Sequence, residues 1–129
     1  MKTPYVVALS VTAGMVLGAG AIQGLHAQTK PPAYQISLEE VSNPEGIEKE
    51  YHPLASAASQ RYGSRHIANG LAVSIDGTQP KNLLVIINQW DSIEQIQAWD
   101  NSPEYRKARE IGNKYAKFQI IAVEGLAAQ

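Results

Sequence analysis

The chain contains no cysteine, which excludes disulfides, thiolate metal sites, cysteine nucleophiles and lipid attachment at a cysteine. An excess of charge of one sign is also missing. With 11 Lys and Arg against 12 Asp and Glu, the formal net charge is −1, which gives no electrostatic footprint for nucleic acid or acidic membranes. The sequence also lacks a glycine-rich phosphate loop, a metal-binding histidine pair and a serine-triad spacing, so no cofactor and no metal is expected. Internal repeats and low-complexity segments are absent too. What is present, 129 residues that are 44% hydrophobic and 18% charged, fits one compact core.

Met1-Lys2 and the uncharged run from Tyr5 to Leu25 read as a secretory leader, with cleavage expected after Ala27. Residues 1–27 are then a signal peptide, 28–32 a proline-containing tether and 33–126 the folded domain, and the mature protein is expected to be periplasmic or secreted. Membrane contact is expected only if the leader stays uncleaved, because about 20 uncharged residues can span a bilayer.

Within the domain, Tyr34, Ile36 and Leu38 alternate with Gln35, Ser37 and Glu39, the period of a half-buried strand. Asn43-Pro44-Glu45 then supplies a cap, a first-turn proline and an acid for a helix start. Ile47, Tyr51, Leu54, Ala55, Ala58 and Tyr62 come next as one buried stripe, with Gly63 as terminator and a kink expected at Pro53. His66 to Ile75 predicts a second strand, and Asp76-Gly77 a turn into a third from Asn82 to Trp90. Asp91 or Ser92 opens a short helix through Trp99. Ser102-Pro103-Glu104 opens another, and Phe118 to Val123 predicts a fourth strand.

Strand, helix, strand, strand, helix, strand is the ferredoxin-like order, an α+β fold with a four-stranded antiparallel sheet. Both helices cover one face of such a sheet. Leu83-Leu84-Val85-Ile86-Ile87 is apolar on both faces, so the uncovered face also carries apolar side chains. Four to six of them, at roughly 1.5 to 3 kcal/mol each when buried, amount to about 10 kcal/mol, which predicts a homodimer formed through the open sheet face.

His66, beside Arg65, shares its alternation with Ala68, Gly70 and Ala72, whose small side chains leave a hollow for a general base or ligand-binding imidazole. The plainer reading is that the small residues let a helix approach the sheet while His66 bonds at the rim. Asn69 and Asn88 lie in otherwise apolar strands, where a buried amide must face a ligand, a cross-strand partner or water. Tyr34, Tyr51, Trp90 and Trp99 either line an aromatic pocket or build the core. His52 lies off the apolar stripe and is expected in solvent, and the acidic run Glu39, Glu40, Glu45, Glu48 and Glu50 reads as a solvated face.

Tyr34, the segment Arg61-Tyr62-Gly63-Ser64-Arg65, the segment Ala98-Trp99-Asp100-Asn101-Ser102-Pro103-Glu104-Tyr105 and the ending Val123-Glu124-Gly125 together resemble an uncharacterised family, domain of unknown function 1330. The resemblance covers Ala33 to about Leu126 and implies a dimeric α/β-barrel of ferredoxin-like subunits, without implying a reaction. This chain departs from the family pattern in keeping Arg65 but losing a second glycine at Ser64. It also has Asn88, Gln89 and Trp90 where a glutamate and an aromatic are common, and Gly112 where an arginine is common. Three functions stay open. The first is a module binding a small apolar or aromatic ligand between helices and sheet, with Tyr34, Arg65, His66, Asn69, Asn88 and Trp90 as candidate contacts. The others are a cofactor-independent oxygenase or isomerase, and a structural or stress-related dimer without small-molecule chemistry.

Overall fold

A computed structural model describes residues 30–127, so the expected leader lies outside the described residues. The chain runs β1 (Ala33–Val41), a helical run, β2 (Arg65–Leu71), β3 (Leu83–Trp90), α3 (Ile93–Asp100), α4 (Pro103–Gly112) and β4 (Ala116–Glu124). The helical run opens with a single turn, α1 (Pro44–Gly46), widens into a π-helical stretch (Ile47–Tyr51) and continues as α2 (His52–Arg61). All strands are antiparallel, in the order β2-β3-β1-β4, which is the ferredoxin-like arrangement. Among the described residues no helix is long and apolar enough to cross a membrane.

Helix starts obey the expected chemistry. Asn43 Oδ1 accepts from the Gly46 amide at 3.0 Å, Ser92 Oγ from Gln95 at 3.2 Å and Ser102 Oγ from Tyr105 at 3.2 Å, each meeting an amide that the first turn leaves free. Gly63, at φ +101°, ends α2 in the left-handed region that glycine occupies without strain.

Where a kink was expected at Pro53 the helix instead widens, with the His52 amide donating five residues back to Ile47. The wider turn gives the proline ring room beside the Lys49 carbonyl that regular winding would crowd. The extra residue also rotates the succeeding turns of the helix, so that Leu54 faces solvent at 48% exposure while Ala55 and Ala58 pack inward. His52 moves from its expected place in solvent to a half-buried one.

The alternation in β1 is present with its faces reversed. Gln35, Ser37 and Glu39 are buried beneath the helices, while Tyr34, Ile36 and Leu38 lie half-buried on the uncovered face. Cross-strand register places Val85, Ile87, Ile121 and Val123 on that same uncovered face. Hydrophobic alternation marks two faces but does not say which one the protein's own helices cover.

β2 is shorter than expected and irregular. Its last ladder contact is the Ala72 amide to the Leu83 carbonyl at 2.8 Å, and Val73 and Ile75 lie in the next loop at 78% and 92% exposure. A bulge between His66 and Ala68 shifts the register, so His66 stands opposite Asn88 and Asn69 opposite Ile86. The alternation that grouped His66 with Ala68, Gly70 and Ala72 is broken at Ile67, and His66 shares a face with Asn69 instead.

Candidate functional site

The layer between helices and sheet has two parts with opposite chemistry. At one end Trp90, Trp99 and Tyr105 pack with tilted rings, the centroids 5.5 Å apart for Trp90 and Trp99 and 4.0 Å for Trp99 and Tyr105. Tyr51 joins them, its hydroxyl 2.9 Å from that of Tyr105. Gly112 is what lets Tyr51 in, because a Cβ there would stand 2.5 Å from the ring. Burial pushes the Tyr51 phenol far above its ordinary range, and the neighbouring Tyr105 adds to the effect. Tyr105 is also raised by burial, with Tyr51 and Arg109 pulling the other way. Both stay neutral hydrogen-bonding hydroxyls at physiological pH.

Beside this aromatic block lies a cavity of about 100 Å³. Its floor is the polar face of β1, Gln35, Ser37 and Glu39; His66, Asn69 and Asn88 come from β2 and β3. Tyr51, His52, Ser56 and Ser59 of the helical run form the opposite wall, and Trp99 closes one side. Gln35, Ser37, Glu39 and Asn88 are buried, whereas His66 and Asn69 on the edge strand are exposed at the mouth of the cavity; the wider hollows near Lys117 lack such a set of buried polar groups.

Two hydrogen-bonded systems face this space. In one, His52 Nε2 lies 3.0 Å from Glu39 Oε2, the Glu39 side chain being 1% and the His52 side chain 20% exposed. A buried carboxylate needs such a partner, since an unpaired one is costly. In the other, Trp90 Nε1–H donates to Gln35 Oε1 at 3.1 Å and Asn88 Nδ2 donates to the same oxygen at 3.2 Å. Gln35 Nε2 donates to Ser37 Oγ at 2.6 Å, and Asn88 Oδ1 meets His66 Nδ1 at 2.8 Å. The buried Trp99 Nε1–H has no partner among the described residues. No group of three or more His, Asp or Glu side chains that could hold a metal ion occurs among the described residues.

Of the six candidate residues, the fold brings His66, Asn69 and Asn88 to one cavity. Trp90 lies one layer behind, fully buried and bonded to Gln35. Tyr34 is on the opposite face, packed beneath Gly125, and Arg65 is exposed at the sheet edge, 3.5 Å from Asp91. Sequence reasoning missed Glu39 and His52. A signal existed for both: Gln35, Ser37 and Glu39 form a polar triplet at the period of a strand, and Pro53 sits within a helix.

Comparison with known proteins bears on the fold. The model of the family described as Domain of unknown function (DUF1330) matches residues 32–126. No curated protein matches the chain in sequence. Among solved structures, a protein of unknown function from Rhodopseudomonas palustris is similar at 18% identity and a TM-score of 0.59, over 75% of this chain and 84% of that one. SnoaB, a cofactor-independent oxygenase from Streptomyces nogalater, is similar at 14% identity and a TM-score of 0.56, over 77% and 95% of the two chains. A protein from Pseudomonas aeruginosa is similar at 17% identity and a TM-score of 0.53, over 77% and 98%. At these identities the likeness concerns the fold.

Proposed function

The chain belongs to the DUF1330 family, and from that premise we propose that it binds a small hydrogen-bonding molecule in the cavity between its helices and its sheet. The observation that carries this is the convergence of Glu39, His52, His66 and Asn88 on one cavity, beside the unmet Trp99 N–H. A core built only for stability would be filled with apolar side chains, because buried polar groups add little even when fully paired. The volume also limits the occupant. A cavity of roughly 150 Å³ holds benzene, so by proportion about 100 Å³ encloses about four non-hydrogen atoms, and a fifth can extend through its open side. The sequence pattern favoured an apolar or aromatic ligand; the wall chemistry favours a polar one.

The protomer carries Ile36, Leu38, Val85, Ile87, Ile121 and Val123 on its uncovered sheet face, which supports association of two copies through that face. Sedimentation of the full chain should give a dimer at micromolar concentration, and Val85→Asp should give a folded monomer. A dimer that survives Val85→Asp unchanged would place the interface elsewhere. Export remains part of the proposal, with a mature N-terminus at Gln28 as the expected mass-spectrometric result.

The ligand reading is tested by thermal shift with a panel of small neutral, cationic and anionic molecules. At least one class should raise Tm, and His52→Phe, which fills the wall with an apolar ring, should abolish the rise. A panel without effect refutes a ligand-binding role. An oxygenase or isomerase reading is supported by the fold shared with SnoaB, and one fold hosts many chemistries. A purely structural dimer leaves the cavity and its polar lining without a purpose.

A further inference from the structure

The hydrogen-bond network behind His66 has a direction, and one atom sets it. Trp90 Nε1–H can only donate, so the Gln35 atom 3.1 Å from it is the carbonyl Oε1. The Asn88 atom that meets the same oxygen at 3.2 Å must then also be a donor, Nδ2. Flipping either amide would set two donors or two acceptors face to face. That leaves Asn88 Oδ1, which only accepts, toward His66 Nδ1 at 2.8 Å. His66 Nδ1 therefore carries the proton, and in the neutral ring Nε2 carries a lone pair.

We infer that His66 is the hydrogen-bond and proton acceptor of the cavity, aligned by Asn88, Gln35 and Trp90, and that the ligand it takes is a small neutral molecule bearing a hydroxyl group. This deepens the ligand-binding reading and rests on it. The same logic applies across the cavity. His52 Nε2–H faces the Glu39 carboxylate, which leaves His52 Nδ1 as the acceptor of its neutral ring. The acceptor on His66 and the buried Glu39 carboxylate disfavour an anion and reward a donor. Asn88, Gln35 and Trp90 are positioning residues: they fix which ring nitrogen of His66 is free and where the ring stands. The bulge at Ile67 completes the arrangement, because without it His66 and Asn69 would fall on opposite faces.

The test uses the isotope-labelled full chain at about pH 8.5, with hydroxyacetone, acetone and acetate as probes. The nitrogen spectrum of His66 should show the Nδ1–H tautomer. Hydroxyacetone should bind about fivefold more tightly than acetone, the worth of one neutral hydrogen bond, and acetate should not compete. In His66→Phe the preference for hydroxyacetone over acetone should vanish. In Asn88→Leu, checked for folding by its methyl spectrum, His66 should become a mixture of tautomers and the preference should fall. A His66 found as Nε2–H, or equal binding of hydroxyacetone and acetone, overturns the inference while leaving a ligand site in place. Silence of all three probes at Asn88 and Trp99 removes the site itself, and the inference with it.

Discussion

Replacing His52 with alanine should destabilise the protein by about 2 kcal/mol, although its side chain is 20% exposed and lies on a helix surface. The cost comes from what is left behind. Glu39, at 1% exposure, would keep its carboxylate under the helical run without the Nε2–H that now meets it at 3.0 Å. Removing one partner of a fully buried pair costs roughly 3 to 5 kcal/mol. Water entering the cavity can replace part of that interaction, which brings the expectation down to about 2. Glu39→Gln is the informative control, because the amide oxygen still accepts from His52 while the buried charge is gone. It should cost less than about 1 kcal/mol. The double variant should fall short of the sum of the two by about 1 kcal/mol, the coupling of the pair. Urea unfolding at one fixed protein concentration reads all three, since the stability of the dimer proposed above would depend on concentration. With a slope near 1.2 kcal/mol per molar urea, His52→Ala should lower the midpoint by roughly 1.7 M. A loss under about 0.5 kcal/mol, or strict additivity, would make this an ordinary exposed contact and refute the buried-pair reasoning.

Burial holds the Tyr51 and Tyr105 phenols protonated in the folded state. Their contribution is therefore fully present below the ordinary phenol value of about 10 and is lost as the pH rises above it, because the unfolded chain then sheds protons the folded one keeps. Stability measured from pH 9 upward should fall more steeply in the wild type than in Tyr51→Phe; parallel curves would show that burial of this hydroxyl is not the cause. Gly112→Ala gains about 1 kcal/mol of helix propensity but drives a methyl to 2.5 Å from Tyr51, and overpacking of roughly 1 to 3 kcal/mol should win. A stabilised Gly112→Ala in thermal unfolding would contradict the close approach. Ser102 is buried, accepts from the Tyr105 amide and donates to the Trp99 carbonyl, so Ser102→Ala should cost about 1 to 2 kcal/mol in urea.

Much of the fold could be read locally because its causes are local. Asn43, Ser92 and Ser102 cap helices through amides three residues away, and Gly63 ends one through its own backbone freedom. The order of elements came from periodicity in the same way, and it is enough to specify a ferredoxin-like sheet. His66, Asn69 and Asn88 stood out as polar residues in apolar strands, and they do share a cavity. Glu39 and His52 did not stand out. One sits in an acidic run, and the other is placed only by a widened helical turn.

The sequence by itself determined which residues form strands and helices, where the helices begin, and that one sheet face is rich in apolar side chains. Those properties depend on neighbours within a few positions along the chain. Tertiary structure alone decided which face of β1 the helices cover, how the bulge at Ile67 turns His66 toward Asn88, and how the π-helical turn brings His52 to Glu39. Each depends on a shift of a single residue, and a period of two or of 3.6 reads the same from either side of such a shift. The chemistry of the cavity was therefore fixed by packing among segments distant in sequence.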